Sequence, residues 1–544
     1  MDNTYSGDAK SPPKRVSALS PAVPSALRKS GIALPFKSIL SPADRHEETC
    51  VSPLSPDVAR DLNLDQIIAA ITAGHEALDL QPLFYAPLRD VDHIAYRHEV
   101  MRDLENAAIM ARIHAFLALM RRVRATLARS EKLYYPRQKA RVFVDAVLLY
   151  VDEIGSFARD LAALPLKARG LRGLAAYVSA HAESVAIRRL REESDKVKAL
   201  LSEVSYAVFI KGDTVSVRAY DGEADYSEQI AATFARFSRD AVKDYRVAFH
   251  DDLALNSVEE RILDRVARLF PAPFVHLERF ATEHQAFIDP VIDRFFREIH
   301  FYVLYQEYIA PLRKAGLPFC YPAVSTLHKH AFARDTFDLA LATKLIRDKI
   351  MVVTNTVFLR GRERVFVVSG PNQGGKTTFV RTFGQLHHFA AIGCLVPGRK
   401  ARLFLPDCIY THFEREETVV SLRGKLQDDL LRAHDILAAA TPASLILMNE
   451  IFSSTTLADA VFLASQVMRR IISLDCLAVC VTFMDELATL DPKVVSMTSM
   501  VRPEDPATRT LKVIRRPADG RAYAFSIAEK YRLTRVWIDQ RLDR

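Results

Sequence analysis

The stretch VFVVSGPNQGGKTTFVRTFGQL, residues 365–386, constrains the chain more than any other. An apolar, β-branched run leads into Gly370-Pro-Asn-Gln-Gly-Gly-Lys-Thr377, and an amphipathic helical pattern follows. The spacing is G-x-x-x-x-G-K-[ST], which requires a strand, a tight loop and a helix start in succession. Glycines at Gly370, Gly374 and Gly375 let backbone N–H groups of a loop that also holds Pro371, Asn372 and Gln373 approach phosphates. Lys376 brings a charge to the outer phosphates, and Thr377, followed by Thr378, offers a hydroxyl to Mg²⁺. The positive end of the helix favours the same anions. The pattern therefore predicts a site for ATP or another nucleoside triphosphate with Mg²⁺.

A second polar boundary follows on the strand-like run SLILMNE. In a nucleotide-hydrolysing site of this type the first position, here Asn449, would help to hold Mg²⁺ through water. The second, Glu450, would orient and deprotonate the attacking water. Together with Lys376, Glu450 is the expected catalytic pair. The alternation of short apolar runs (RVFVVSG, SLILMNE, CLAVCVTF) with helical segments over residues 326–544 predicts a mainly parallel sheet covered by helices, an α/β P-loop ATPase domain of ABC-like type.

Residues 57–325 have a different periodicity. In EVMRDLENAAIMARIHAFLALMRRVRATL, apolar residues Met101, Leu104, Ala108, Ile113, Phe116, Leu117, Met120, Val123 and Leu127 recur at helical steps. We read this part as an all-α domain of long helices. One interruption, SYAVFIKGDTVSVRAYD at 205–221, is β-branched and aromatic around Gly212-Asp213 and predicts a small hairpin insertion. Residues 1–56 hold eight of the 26 prolines and ten serines, which predicts a disordered tail.

The surplus of 74 Lys and Arg over 66 Asp and Glu gives +8, a mild bias that favours a polyanionic partner without demanding one. Basic residues cluster at Arg121, Arg122 and Arg124, then at Lys167, Arg169, Arg172, Arg188, Arg189 and Arg191. At helical spacing these could neutralise DNA phosphates without reading sequence. A solvated helix face is the competing reading, because Glu192, Glu193 and Asp195 follow at once. His98, His387 and His388 have no companions at zinc-like spacing and read as ordinary helix residues. The six cysteines lack a C-x-x-C pair and read as reduced core residues of a cytoplasmic protein. No apolar run is long enough to span a membrane.

The motifs together resemble the MutS family of DNA mismatch-repair ATPases. GPNQGGKTT is similar to that family's GPNMGGKST. VTNTVFLRGRERVFVVSGPN resembles the segment upstream of it, with Asn355 at the asparagine near the adenine. IGCLVPGRKARLFLPDCIYTHF follows the family's order of helix, V-P step and D-x-I-x-T strand. NEIFSSTTLADA resembles DEIGRGTSTxDG, and LKVIRRPADGRAYAFSIAEKYRL its closing strand, turn and helix. The likeness covers most of residues 350–535. A weaker one, in FYAPLRDVDHIAYRHEVMRDLEN, would make 57–325 the core and lever helices and the hairpin a reduced DNA clamp. The resemblance implies DNA as partner, an ATP-switched clamp acting in repair or recombination, and a homodimer with composite nucleotide sites.

Departures accompany the matches. The family's N-terminal Phe-x-Glu wedge has no counterpart, so direct mismatch reading is not expected. Asn449 replaces an aspartate, Phe483 in VTFMDEL stands at the histidine of THYxEL, and RGKLQDDL, with Gly424 or Ser421, stands where the family has its S-T-F segment. An amide still offers an oxygen to a hydrated cation but no charge. ATP binding with slow hydrolysis is therefore expected. The alternative is a nucleotide-dependent dimeric scaffold without DNA binding or efficient turnover. A transporter or chromosome-structuring ATPase fits less well, because neither LSGGQ nor long heptad arms are present.

Overall fold

The computed structural model describes residues 36–42, 54–223, 255–415, 424–502 and 509–517, with isolated positions at 229, 232, 233, 533–535 and 538. All of these belong to one compact unit, Phe36–Arg544. Its first half is helical: α1 (Pro56–Asp61), α2 (Leu64–Thr72), α3 (Gln81–Tyr85), α4 (Val91–Asp103), α5 (Ala107–Lys132), α6 (Pro136–Ala163), α7 (Arg169–Ala182) and α8 (Val185–Ser202) precede the hairpin. The hairpin strands are β1 (Tyr206–Lys211) and β2 (Thr214–Ala219). α9 (Ser257–Leu269), α10 (Pro271–Glu283) and α11 (Pro290–Lys314) follow.

Local chemistry sets these boundaries. Asn106 caps α5 by accepting from the Ala108 N–H, and Asn256 and Glu259 form a reciprocal capping box on α9. The cap at Asn106 also divides what the apolar period alone reads as one helical stretch, ending α4 at Asp103. α5 and α6 pack side by side, with Phe116 stacked on Phe157 at 4.4 Å between ring centroids. In the hairpin, Gly212 adopts φ +62°, a left-handed turn position that favours glycine, and Lys211 pairs with Thr214. The middle of α11, Glu298 to Tyr305, is buried on every side, with Tyr302 and Tyr305 fully enclosed.

The second half carries β3 (Phe319–Cys320), β4 (Ala323–Ser325), β5 (Phe332–Thr336), α12 (Leu339–Arg347), β6 (Asn355–Phe358), β7 (Val365–Ser369), α13 (Lys376–Ala391), β8 (Val396–Pro397) and β9 (Lys400–Phe404). It continues with β10 (Ile409–Phe413), α14 (Lys425–Ala439), β11 (Leu445–Asn449), α15 (Leu457–Leu474), β12 (Leu477–Val481), β13 (Val494–Val501) and β14 (Arg509–Arg515). The main sheet has the order β10-β11-β12-β7-β13-β14, parallel except for the antiparallel edge strand β14. β7, β11 and β12 are buried along their whole length, as strands covered on both faces must be. A second, mixed sheet has the order β4-β9-β5-β6. β3 and β4 pair with β8 and β9, so the α/β half begins a few residues before position 326.

Residues 36–42 depart from the expected tail. Phe36, Ile39 and Leu40 are buried, Ser38 Oγ and the Ile39 N–H donate to Glu298 at 2.7 and 3.0 Å, and Tyr302 donates to the Ile39 carbonyl at 2.8 Å. Arg97, itself buried, donates to the carbonyls of Leu40 and Ile392. Three apolar side chains within five residues suffice to dock the segment, and the proline and serine content of its surroundings conceals them. The remainder of 1–53 lies outside the described residues. Cys394, Cys476 and Cys480 are buried free thiols, Cys320 is half-buried, and Cys408 is exposed. Cys50 lies outside the described residues. No helix among the described residues is long and apolar enough to cross a membrane.

Candidate nucleotide-binding site

The glycine-rich loop leaves the C-terminal end of β7 and enters α13, at the edge of the sheet where open α/β folds place ligands. Gly370 and Gly375 have φ of +112° and +91°, and Gln373 a φ of +60°. A Cβ on Gly370 would lie 2.9 Å from the Ser499 carbonyl oxygen, and one on Gly374 would lie 1.9 Å from Ser499 Oγ. The loop is thus pressed against β13 and held there by Ser499 Oγ, which donates to the Gly374 carbonyl at 2.9 Å. No side chain caps α13, so its first N–H groups face the loop.

Lys376 curls back over this loop. Its Nζ donates to the carbonyls of Gly370 (3.0 Å) and Pro371 (3.4 Å) and to Asn372 Oδ1 (3.1 Å), and lies 3.7 Å from Glu450 Oε1. Burial lowers its pKa, and Glu450 offsets part of that drop by favouring the charged form. Two strands away, Asn449 closes β11 and accepts a hydrogen bond from Thr377 Oγ1 at 3.1 Å. Glu450 follows in a left-handed conformation, φ +55°, its N–H bonded to the Val481 carbonyl. A non-glycine residue held in that region is a strained position of the kind that clusters at functional sites.

A cleft of about 340 Å³ is lined by Gln373, Gly375, Lys376, Thr377, Thr378 and Glu450, closed by Asn372 and Leu511. The lining offers uncapped N–H groups, one ammonium, the hydroxyls of Thr377 and Thr378 and one carboxylate, and Asn449 stands behind it, bonded to Thr377. Such a donor set fits phosphates with a hard cation. Residues 366–540 match the family model of MutS domain V. This part of the chain is similar to MutS domain V.

Three relatives illustrate the extent of the match. Over 181 residues, 32% of this chain and 23% of the relative, the MutS-type region is 30% identical to the DNA mismatch repair protein MutS of Thermotoga maritima. Over 147 residues (27% of this chain, 14% of the relative) it is 32% identical to the DNA mismatch repair protein MSH3 of Yarrowia lipolytica. Over another 147 residues (27% and 16%) it is 31% identical to the DNA mismatch repair protein msh-2 of Neurospora crassa. The chain spans less than a quarter of the length of these relatives.

The MutS-type region brings together the loop residues, Lys376, Thr377, Thr378, Asn449 and Glu450. Asn355 stands at one remove: its Oδ1 accepts from the Val513 N–H (2.9 Å) and its Nδ2 reaches the Leu511 carbonyl (3.4 Å), tying β6 to β14. It thereby supports Leu511, which lines the cleft at φ +58°. Phe483 follows β12 and is half exposed. Gly424 precedes α14, and Ser421 lies outside the described residues. Sequence reading missed Ser499, Arg509 and Leu511, of which Arg509 Nε donates to the Asn372 carbonyl. They lie on β13 and β14, far along the chain, and carry no motif.

Four of the arginines read as DNA contacts pair with carboxylates of the protein, their side chains remaining partly or largely exposed. Arg124 pairs with Asp293 and lies over the Phe296 ring at 4.4 Å, Arg189 pairs with Glu193 at 2.7 Å, and Arg191 pairs with Asp152 at 2.6 Å. Arg169 bridges Asp92 and Glu99, and Arg121 donates to the Leu117 carbonyl. Lys167, Arg172, Arg122 and Arg188 are exposed. The helical spacing that suggested a basic stripe also sets Arg189 beside Glu193 on its own helix, while Arg124, Arg169 and Arg191 meet carboxylates of other helices. His387 and His388 bond the carbonyls of Phe383 and Phe84, and with His98 they are buried and held down to a pKa of about 4.

Proposed function

We propose that the chain is a Mg²⁺-dependent ATPase of MutS type that couples ATP binding to a change in its grip on DNA, and that it hydrolyses ATP slowly. The observation that carries this reading is the convergence of Lys376, Thr377 and Glu450 on one cleft from two separate strand ends, with Asn449 bonded to Thr377 behind it. Lys376 would leave the loop carbonyls for the phosphate oxygens, releasing Glu450 to accept a proton from water. When bound, Mg²⁺ would neutralise charge on the phosphates. Thr377 and Asn449 would hold it with neutral oxygens alone, which weakens the hold relative to a carboxylate. Loop N–H groups stabilise charge that develops on the phosphate.

The names of the relatives support DNA mismatch repair as the setting, and the fold supports a helical half acting as core and lever. The reading as a dimeric scaffold without DNA contact has one observation in its favour, the internal pairing of Arg124, Arg189 and Arg191. Two measurements test both. Phosphate release should fall about a hundredfold or more in Glu450→Gln while ATP binding persists, and equal rates would end the hydrolytic reading. Titration with duplex DNA, with and without ATP, should give a salt-dependent affinity that ATP changes, whereas no binding at any salt leaves the scaffold.

A further inference from the structure

The small sheet β4-β9-β5-β6 turns one face to the core and the other to solvent. Ala333, Val357, Ala401 and Leu403 are buried, whereas Arg334, Thr356, Lys400 and Arg402 are exposed and Phe332 and Phe358 are half-buried. The alternation is the period of two expected of a sheet covered on one side. Strand register sets Ala323, Arg402, Phe332 and Phe358 in one row across all four strands, with Lys400 beside Arg334 in the next row.

Two phenylalanines on an open sheet face, bordered by cations, are an uncommon composition for a merely solvated surface. Arg360 and Arg515 hold their guanidinium groups 4.6 and 5.1 Å from the Phe358 ring centre. A groove of about 240 Å³ runs there, lined by His330, Phe332, Phe358, Arg360, Lys400 and Arg402. The nearby carboxylates are engaged: Asp335 binds Arg399 at 2.8 Å, with Arg334 at 3.7 Å, and Glu363 binds Arg515. Lys400 and Arg402 have no carboxylate partner among the described residues.

We propose that this face is a platform for single-stranded nucleic acid. Bases would stack on Phe332 and on the guanidinium plane of Arg360, which itself lies over Phe358, and phosphates would meet Arg402, Lys400 and Arg334. Aromatic rings set among cations match a ligand that alternates flat apolar faces with anionic charge. A duplex hides its base faces in its own stack, and an acidic protein segment would use the cations but leave the rings without a role. The platform lies apart from the helices read as DNA contacts and does not depend on ATP hydrolysis.

The test uses the full chain and a fluorescent oligothymidylate followed by anisotropy at several salt concentrations, with a duplex of equal length and polyglutamate as competitors. The oligothymidylate should bind in a salt-dependent way, and neither competitor should displace it as well as unlabelled oligothymidylate does. The double change Lys400→Glu/Arg402→Glu should weaken binding about tenfold or more. Phe332→Leu, which keeps apolar bulk but removes the ring, should weaken it several-fold. The proposal is overturned by no binding to the native protein, by equal displacement with polyglutamate or duplex, or by unchanged affinity in both variants. Circular dichroism and ATP binding, measured on the same variants, tell loss of the platform from loss of the fold. A native protein that fails to bind ATP would refute the nucleotide reading and leave the platform standing.

Discussion

The cations of the nucleotide cleft and those of the long helices are similar in kind and different in situation. Lys376 is buried, is held by neutral carbonyls with the Glu450 carboxylate farther off at 3.7 Å, and faces a cleft of uncapped N–H groups, so an anion there gains backbone donors as it takes Lys376 from Glu450. Arg124, Arg189 and Arg191 already sit against carboxylates, so a DNA phosphate would have to displace those partners. Charge alone does not make a site. What distinguishes the cleft is positive potential left unsatisfied by its own fold, held in place by close backbone packing.

That contrast can be broken at its strongest point first. Gly374→Ala should weaken ATP binding about a hundredfold or more, because the added methyl would lie 1.9 Å from Ser499 Oγ, 3.1 Å from Ser499 Cβ and 2.9 Å from the Pro371 carbonyl oxygen, so that turning the hydroxyl away is not enough and the loop must move. Calorimetric titration reads the outcome, and near-native affinity would mean that the loop does not need its seat on β13.

The next effect concerns both halves at once. His98 and His300 in the helical half, and His387 and His388 on α13, have pKa values lowered by burial from 6.5 to about 4. Between those values the unfolded chain binds protons that the folded chain does not. Stability is therefore present above pH 6.5 and is lost as pH falls toward 4, by about 1.4 kcal/mol per pH unit for each histidine. One cooperative acid transition in thermal melts would show the halves to be a single unit, and two transitions would separate them.

Smaller effects sharpen the comparison. Asn449→Asp should lower the Mg²⁺ concentration for half-maximal nucleotide binding about tenfold and raise phosphate release, since it restores a charge beside Thr377. No change would mean that position 449 does not sense the cation. On the helices, Arg122→Ala and Arg188→Ala should each weaken duplex binding by a few-fold and reduce the salt slope by about one. Arg189→Ala and Arg191→Ala should alter it little, and the reverse order would mean that the observed ion pairs yield to phosphate.

The central strand, loop and helix were legible because the G-x-x-x-x-G-K-[ST] spacing and a β-branched run constrain one another locally. The apolar face of α5 was legible for the same reason, down to Phe116, Leu117, Met120 and Val123. The break between α4 and α5 was not, because an apolar period continues through a cap. The docking of residues 36–42 was hidden as well, since its partners Glu298 and Tyr302 lie more than 250 residues away.

The sequence by itself determined which side chains could form a nucleotide site, since strand, glycine loop and helix start are adjacent in the chain and need only local geometry. Tertiary structure decided the rest. It set Ser499 under the loop, moved Asn355 behind Leu511, paired the helical arginines with carboxylates and lined up Arg402, Phe332 and Phe358 in one row. Each of these depends on contacts between residues distant in the chain, and the local periodicity of a sequence carries no record of such contacts.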